Sequence, residues 1–351
     1  MRVEVSNWPL VDRLPGMEAG QVAEPVPSET GERLKESLKR PWFVAVLVIA
    51  AIFVALVIGH GLHAVAQTGL NGLSLGAIYA LGAVGLTLVY GILKLVNFAQ
   101  GDFLTFGAYM AYLVNVTWGL PLVIGIFWAM IATALLGLLF ERVLWGPMRA
   151  KNAGFLQLIL MSIGLAFLLR AIIQWFWSTD IRVLDVNTAA TVDFLGLHIG
   201  RVQLVVVIVG VVVIAVTGLM LRFTPLGKRM RALSDDLELA ETAGIDTRRI
   251  ITYTWIFAGA LAGLAGVLAA ATTNLYPELG FELLLPIFAA VILGGIGDAF
   301  GALAAGMVIG VMTEWSTLVI DARWKTAVGF LVLIIVLIVR PQGIFGKAKA
   351  I

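Results

Sequence analysis

The amino-acid sequence predicts an all-α polytopic membrane protein, and its composition leads to this class. Apolar residues make up 60% of the 351 residues and charged residues only 13%, with a mean hydropathy of +0.98. Soluble domains contain about 45–50% apolar and about 25% charged residues, so a soluble chain of this composition would lack the polar surface to cover itself. Glycine is also abundant, with 38 residues. In a membrane protein this abundance favours closely packed and interrupted helices.

Ten apolar segments reach or approach the roughly 20 residues that a membrane-spanning helix needs. These segments are 41–62, 64–93, 97–117, 120–140, 155–177, 202–221, 251–273, 282–297, 300–320 and 325–340. Two of them, 282–297 and 325–340, are short, and 97–117 opens with polar residues. We therefore expect about 9–10 transmembrane helices, with interrupted or short segments among them.

The rest of the chain predicts a short tail on each side of one transmembrane domain. Residues 1–40 contain four prolines, scattered charges and few large apolar residues, which is typical of a disordered tail. The transmembrane domain is expected over 41–346, and 347–351 form a short C-terminal tail. Within the domain, 222–249 is the longest of the loops predicted on the cytoplasmic side.

The lysine and arginine residues predict which helix ends face the cytoplasm. If the N-terminus lies in the cytoplasm and the segments alternate, 19 of the 24 basic residues fall on the cytoplasmic side and four outside, with Arg170 inside a segment. The four outside residues are Arg182, Arg201, Arg323 and Lys325. Because cytoplasmic loops carry the excess of basic residues in membrane proteins, we expect both termini in the cytoplasm.

Several classes of function have no support in the sequence. There is no cysteine, and the three histidines show no metal-ligand spacing, so neither a metal site nor a cofactor is predicted. A net charge of +2 gives no reason to expect nucleic acid as a partner. No phosphate-binding loop and no catalytic constellation occurs, so we do not expect an enzyme. If the chain transports a solute, the energy would come from a separate ATPase or from an ion gradient.

The loop 222–249 contains a compact amphipathic stretch. Four of its residues share one face of a helix by their spacing of four, three and four: Leu233, Leu237, Ala240 and Gly244. Ser234 or Asp235 can cap the start of this helix, and Gly244 can end it. A short helix between two spans fits a groove on a soluble partner. A surface helix that lies on the membrane explains the pattern equally well.

Two polar or glycine-rich segments are candidates for lining a transport pathway. The first holds Asn97, Gln100 and Asp102 at the start of a predicted span, where unsatisfied polar groups in hydrocarbon are costly. The second holds three glycines that end a helix before a new one begins near Phe300: Gly294, Gly295 and Gly297. Discontinuous helices line substrate sites in transporters. A structural role, as helix caps in the first segment and as a tight turn in the second, explains both segments as well.

Arg170 lies within a predicted span. A buried arginine pairs with a carboxylate or extends toward the membrane surface, and the candidate partners are Glu314 and Asp180. A role in holding a substrate carboxylate is the alternative.

Several motifs resemble those of a known transporter family. The pattern Glu238-x-Ala240-x-x-x-Gly244 resembles the EAA-x-x-x-G coupling motif of bacterial ABC-importer permeases, with Leu239 at the second family position. Longer stretches resemble the LivH-type permeases of branched-chain amino-acid importers. They are NGLSLGAIYAL at 71–81, GLTLVYGILKLVNFAQGDFLTFGAY at 85–109, ERVLWGPMR at 141–149, RALSDDLELAETAGIDTRRI at 231–250, AGALAGLAGVLAA at 258–270, AAVILGGIGDAFGALAAG at 289–306 and RPQGIFG at 340–346. Gln100 departs from the family, which usually has histidine there.

The resemblance implies an ABC-importer permease (LivH-like) fold in the bacterial cytoplasmic (inner) membrane. It implies a permease subunit that moves branched-chain amino acids or similar small polar solutes, with Glu238, Ala240 and Gly244 as ATPase-coupling residues. The implied partners are a homologous permease or second copy, two cytoplasmic ABC ATPase subunits, a periplasmic or extracellular solute-binding protein, and membrane lipid.

Two alternatives remain open at the level of sequence. An ABC importer of this type could carry urea, short amides or sugars instead, since the binding protein selects the cargo. The chain could also be a stand-alone secondary transporter or channel. A secondary transporter or channel would place acid or cation sites near the membrane midplane. It would assign no function to the loop 222–249.

Overall fold

The computed structural model describes residues 41–188, 190–194 and 197–339. The predicted tails, 1–40 and 347–351, and the motif at 340–346 lie outside the described residues. By its internal contacts the chain divides after Leu47 into two units. The described part of the first unit is 41–47, the start of the first helix, and the second unit begins at Val48.

The described residues form α-helices and one β-hairpin. In chain order the elements are α1 (Pro41–His60), α2 (Leu62–Leu93), α3 (Gln100–Tyr112), α4 (Leu122–Phe140), α5 (Gly146–Ala150), α6 (Phe155–Trp177), β1 (Thr191–Phe194), β2 (Leu197–Gly200), α7 (Arg201–Phe223), α8 (Pro225–Asp235), α9 (Leu237–Thr242), α10 (Thr247–Thr272), α11 (Leu279–Gly294), α12 (Ala299–Ser316) and α13 (Lys325–Val339). A π-helical turn, Leu113–Thr117, extends α3, and another, Glu141–Trp145, joins α4 to α5. A 3₁₀ turn, Ala322–Trp324, precedes α13.

The predicted all-α polytopic class is confirmed. Among the described residues, six helical stretches are long and apolar enough to cross a membrane: α2, α4 continued through α5, α6, α7, α10 and α12. The other predicted segments contain α1, α3, α11 and α13, and two of these are shorter apolar helices, 47–60 and 279–294. The helices in the two segments predicted to be short, α11 with 16 residues and α13 with 15 residues, are short.

Two helices form the centre of the second unit. In their most apolar stretches, 89% of the residues of α2 and 83% of those of α10 are buried, against 28% for α4 with α5, α6 and α7. The last three helices thus present most of their apolar side chains outward, as expected of helices that face lipid or another membrane subunit. Examples of such exposed side chains are Phe127, Leu160 and Val212.

Small residues allow α2 and α12 to pack backbone against backbone. A Cβ atom placed on Gly310 would lie 2.3 Å from the backbone of Gly76, and one on Gly306 would lie 2.6 Å from the backbone of Ala80. These residues repeat every fourth position on both helices. This is the small-xxx-small pattern by which membrane helices approach closely and gain dispersion contacts.

One end of the bundle carries most of the basic side chains, and we refer to it as the basic end. Lys94 contacts Ser234 there, and Gly91 lies beside Gly297. These two contacts bring the end of α2, the loop 222–249 and the turn after α11 to the same side. The described lysines and arginines in the helix ends, short helices and loops of this end are Lys94, Arg142, Arg149, Lys151, Arg222, Lys228, Arg229, Arg231, Arg248 and Arg249.

The opposite end is covered by a β-hairpin that the sequence did not predict, and we refer to it as the hairpin end. β1 and β2 pair antiparallel, with Val192 opposite Ile199. The Gln67 side-chain amide donates to the carbonyl of His198 and accepts from its N–H, so the hairpin is fixed to the start of α2. Before the hairpin, Arg182 forms an isolated β-bridge with Leu275, which holds 178–188 across the loop that follows α10.

Candidate functional site

The loop 222–249 contains two short helices rather than one. The predicted single helix over 233–244 is wrong, because Ser234 and Asp235 lie in the last turn of α8 and the chain is extended at Asp236. The Asp236 carboxylate accepts from the backbone N–H of Leu239 at 3.0 Å and so caps a second helix, α9. Aspartate favours this N-cap position over a helix interior, because its carboxylate satisfies an otherwise unpartnered N–H. Gly244, at φ 82°, follows the C-cap residue Ala243, so the predicted helix end at this glycine is confirmed.

The coupling residues predicted from the motif do not share one surface. Glu238 and Gly244 are exposed, and a Cβ atom on Gly244 would have open space around it. Ala240, by contrast, is only 4% exposed and packs against the rest of the protein. Ala240 therefore anchors α9, and the outward surface consists of Glu238, Glu241 and Leu239, whose apolar side chain is 67% exposed.

The loop is attached to the bundle by apolar contacts and by one lysine. Met230 and Leu233 of α8 are fully buried. The Lys94 ammonium donates to the carbonyl oxygens of Gly91 at 2.8 Å and of Ser234 at 2.9 Å. The position of α8 is thus fixed relative to the end of α2.

The glycine-rich turn ends α11 as the sequence predicted. α11 ends at Gly294, and Gly295 and Gly297 adopt positive φ angles of 95° and 92°. The Asp298 carboxylate then accepts from the N–H of Phe300 and caps α12. A Cβ atom on Gly294 would lie 2.3 Å from the backbone of Gly301. Because positive φ and this close approach both require glycine, a tight turn accounts for all three glycines.

Asn97 and Gln100 lie inside the bundle. Residues 94–99 are not helical, and α3 begins only at Gln100. A Cβ atom on Gly85 would lie 3.1 Å from Gln100 Nε2. Since Gly85 is eight residues before the end of α2, Gln100 lies about 12 Å inward from that end. Asn97 Oδ1 accepts from the N–H of Ala99, whereas Gln100 Nε2 has no hydrogen-bond partner among the described residues.

Arg170 pairs with Asp102, and both candidate partners from the sequence are wrong. Arg170 Nε lies 3.2 Å from Asp102 Oδ1, and the Asp102 side chain is fully buried. Glu314 instead pairs with Lys325, and Asp180 accepts from Ser178. The sequence places Asp102 among residues that line the pathway or cap a helix. Its position in the first turn of α3 does favour a carboxylate, but its partner comes from a helix 68 residues away.

The first turns of α3 and α11 meet beside this ion pair. A Cβ atom on Gly101 would lie 2.3 Å from the Gly280 carbonyl oxygen, and Gly280 N–H donates to Thr105 Oγ1 at 2.9 Å. The Arg170 guanidinium also lies 4.5 Å from the ring centroid of Phe281. Two helices therefore begin in the interior of the bundle with their N-termini together, which is the discontinuous arrangement found at transport sites.

The structure does not bring the two candidate pathway segments together. The turn with Gly297 contacts Gly91 near the basic end, whereas Gln100 contacts Gly85 deeper in the bundle. Asn97, Gln100 and Asp102 are also buried within this chain, so a pathway role for them stays a prediction. Sequence reasoning missed Lys94, whose only signal was a lysine directly after a long apolar helix.

The ERVLWGPMR motif has a structural role at the end of α4. Glu141 accepts from the indole N–H of buried Trp255 at 2.7 Å and forms an ion pair with Arg149. These bonds tie the π-helical turn and α5 to α10.

Comparison with known proteins agrees with the motifs. Residues 69–337 match the family model described as branched-chain amino acid transport system, permease component. The chain is 30% identical over 297 residues to the high-affinity branched-chain amino acid transport system permease protein LivH of Escherichia coli, which covers 81% of this chain and 96% of LivH. It is 31% identical over 299 residues to BraD of Pseudomonas aeruginosa, again covering 81% of this chain and 96% of the relative.

The chain is also similar, at 26% identity over 359 residues, to the permease protein LivM of Escherichia coli, with 92% of this chain and 78% of LivM covered. No solved structure matches the chain. The family match and the LivH and BraD similarities each extend over most of the sequence. The chain is a multi-pass membrane protein and belongs to the family of permease components of branched-chain amino acid transport systems, which is a family of transporters and not of enzymes.

Proposed function

We propose that this chain is one transmembrane subunit of an ATP-driven importer in the bacterial cytoplasmic membrane, with branched-chain amino acids or similar small polar solutes as cargo. The observation that carries the proposal is α9: a short, capped helix that exposes Glu238 and Leu239 and is followed by exposed Gly244. A short helix that is capped and attached to the bundle through α8 suits docking into a groove of a soluble partner. Family membership supports the cargo class, since LivH and BraD carry that class in their names.

The orientation follows from the distribution of charge. Ten of the described lysines and arginines lie at the basic end, whereas Arg182, Arg201, Arg323 and Lys325 lie at the hairpin end. The excess of basic residues belongs on the cytoplasmic side. α9 then faces the cytoplasm, where two ATPase subunits would bind it, and the hairpin faces outward, where a solute-binding protein would deliver cargo. Both termini are cytoplasmic in this proposal.

A second permease subunit completes the pathway. The exposed apolar faces of α4, α6 and α7 offer area for contact with lipid and with a second subunit. Escherichia coli has both LivH and LivM, and this chain resembles each of them. The partner is therefore a LivM-like permease or a second copy of this chain.

One observation favours a rival function. The buried pair of Asp102 and Arg170 is the kind of intramembrane charge that a stand-alone secondary transporter uses. The two functions differ in their energy source. In the importer, ATP drives the change between the two access states, and the ion pair holds helices in place.

The experiment is reconstitution into liposomes. The permease is tested alone and with its partner permease, an ATPase and a binding protein from the same operon, using radiolabelled leucine, valine, urea and a sugar. The proposal predicts leucine or valine uptake only in the complete system with ATP. Uptake by the permease alone without ATP would support the secondary transporter. ATP-dependent uptake of urea or of the sugar, without uptake of leucine or valine, would show that the importer carries a different class of solute.

A further inference from the structure

Lys94 joins the C-terminal ends of two helices. Its ammonium donates to Gly91 in the last turn of α2 and to Ser234 in the last turn of α8. Carbonyl groups in a last turn lack partners within their own helix and carry the negative end of the helix dipole. One ammonium with three N–H donors satisfies a carbonyl in each helix. Lys94 therefore links the loop that carries α9 to the most buried helix of the bundle.

The backbone of Lys94 sets the course of the chain after α2. Its φ angle is 51°, in the left-handed region, and its N–H donates to the Tyr90 carbonyl at 2.8 Å. This conformation is uncommon for a residue with a side chain. Here it turns the chain so that 94–99 run back along the bundle to Gln100, where α3 begins. The residue that holds α8 is thus also the first residue of the segment that leads to the interior helix start.

A small cavity lies beside this link. It has a volume of about 80 Å³ and is bounded by Leu88 of α2, Met230 and Arg231 of α8, and Phe300 of α12. Close packing would leave α8 no room for movement. The cavity leaves α8 and α12 loosely packed against each other at this point.

We propose that Lys94 is a positioning residue for coupling. It fixes α8, and through Asp236 also α9, to the segment 94–99, so that a displacement of α9 by the ATPase moves the start of α3. This inference rests on the proposed function, since it requires an ATPase bound at α9. Without the Lys94 ammonium, α8 and α9 move with the ATPase, but the segment 94–99 does not follow this movement. ATP is then hydrolysed with less solute transported.

The test compares three variants of the complete transporter in liposomes. Lys94→Asn removes the ammonium but keeps the left-handed backbone, which asparagine tolerates. Lys94→Arg keeps a charged donor, and Lys151→Asn removes an exposed lysine from another loop of the basic end. For each variant, uptake of radiolabelled leucine, ATP hydrolysis and the amount of bound ATPase are measured in the same preparation.

Lys94→Asn should bind the wild-type amount of ATPase and hydrolyse ATP, yet transport about fivefold less leucine per ATP or worse. Lys94→Arg should recover most of this ratio, and Lys151→Asn should leave it unchanged. A wild-type ratio in Lys94→Asn would overturn the inference. Loss of ATPase from the Lys94→Asn complex would overturn it too, because the lysine would then serve docking. Failure of the proposed function gives a separate result, namely no ATP-dependent uptake by the wild-type complex.

Discussion

Arg170 of α6 and Asp102 of α3 form an ion pair inside the bundle. The Arg170 side chain is 14% exposed and that of Asp102 is fully buried, and the guanidinium also stacks against Phe281 of α11. Three helices therefore meet at one arginine. A charged pair of this kind is costly to desolvate, and it is costlier still to leave one partner alone.

Neutralising one member of this pair should destabilise the protein more than neutralising both. Asp102→Asn and Arg170→Gln each leave an unpaired polar or charged group inside the bundle, and each should lower the free energy of unfolding by about 3–5 kcal/mol. The double variant removes both charges and should recover most of this loss. The measurement is the unfolding midpoint in detergent.

Arg323→Gln serves as the control, since this exposed arginine pairs weakly with Asp321. Its midpoint should equal that of the wild type. If Asp102→Asn and Arg170→Gln each had the same midpoint as Arg323→Gln, the buried pair would make no contribution to stability.

The packing of α2 against α12 should depend on individual glycines. Gly310→Ala places a Cβ atom 2.3 Å from the Gly76 backbone, so the helices must separate, at a cost of about 1–3 kcal/mol. Gly164→Ala on α6 meets open space and should be neutral or stabilising, because alanine restricts the unfolded chain. Unfolding midpoints compare the two, and equal midpoints would contradict the backbone contact.

Leu239 should contribute directly to ATPase binding. It is a large apolar side chain exposed on α9, and burying a leucine side chain contributes about 1.5–3 kcal/mol, so truncation to alanine should cost about 2 kcal/mol, or roughly 30-fold in affinity. Titration of the ATPase subunit into solubilised permease measures the effect of Leu239→Ala. Leu219→Ala on α7 is the matched control, with a similarly exposed leucine. Equal affinities of the two variants for the ATPase would show that Leu239 does not contribute to the interface.

Gly244 should tolerate a change of side chain only where the backbone angle and the space beside α9 are both kept. Gly244→Trp should abolish uptake while the protein still inserts, because the indole fills the exposed space at the end of α9. Gly244→Asn tolerates a φ of 82° and should retain most of the uptake. Normal uptake by Gly244→Trp, measured in cells with equal permease content, would argue against docking at this site.

Hydropathy and glycine placement were sufficient to predict the long apolar helices and the turn after α11. The apolar segments differ from their neighbours over about 20 residues, and three glycines in four residues leave few alternatives to a turn. The helix break at Asp236 could also have been predicted, since aspartate before a short apolar run is a signal for a helix N-cap. The amphipathic spacing of Leu233, Leu237 and Ala240 favoured one continuous helix and concealed the cap.

Contacts between distant helices could not be predicted. Asp102 and Arg170 are 68 residues apart, and hydropathy carries no information about which faces of α3 and α6 meet. The same limit applies to Ala240. Its small side chain fits either a partner's approach or burial, and the packing of α9 against its own chain decides for burial.

The side of the membrane on which α9 lies tests the account most directly. The chain has no cysteine, so Glu238→Cys on α9 and Thr191→Cys on the hairpin can each be labelled with a membrane-impermeant maleimide. Both side chains are exposed. If α9 lies in the cytoplasm, intact cells label Thr191→Cys but not Glu238→Cys, and inverted vesicles label Glu238→Cys unless the ATPase is bound. Labelling of Glu238→Cys in intact cells would place α9 outside and rule out its binding of a cytoplasmic ATPase.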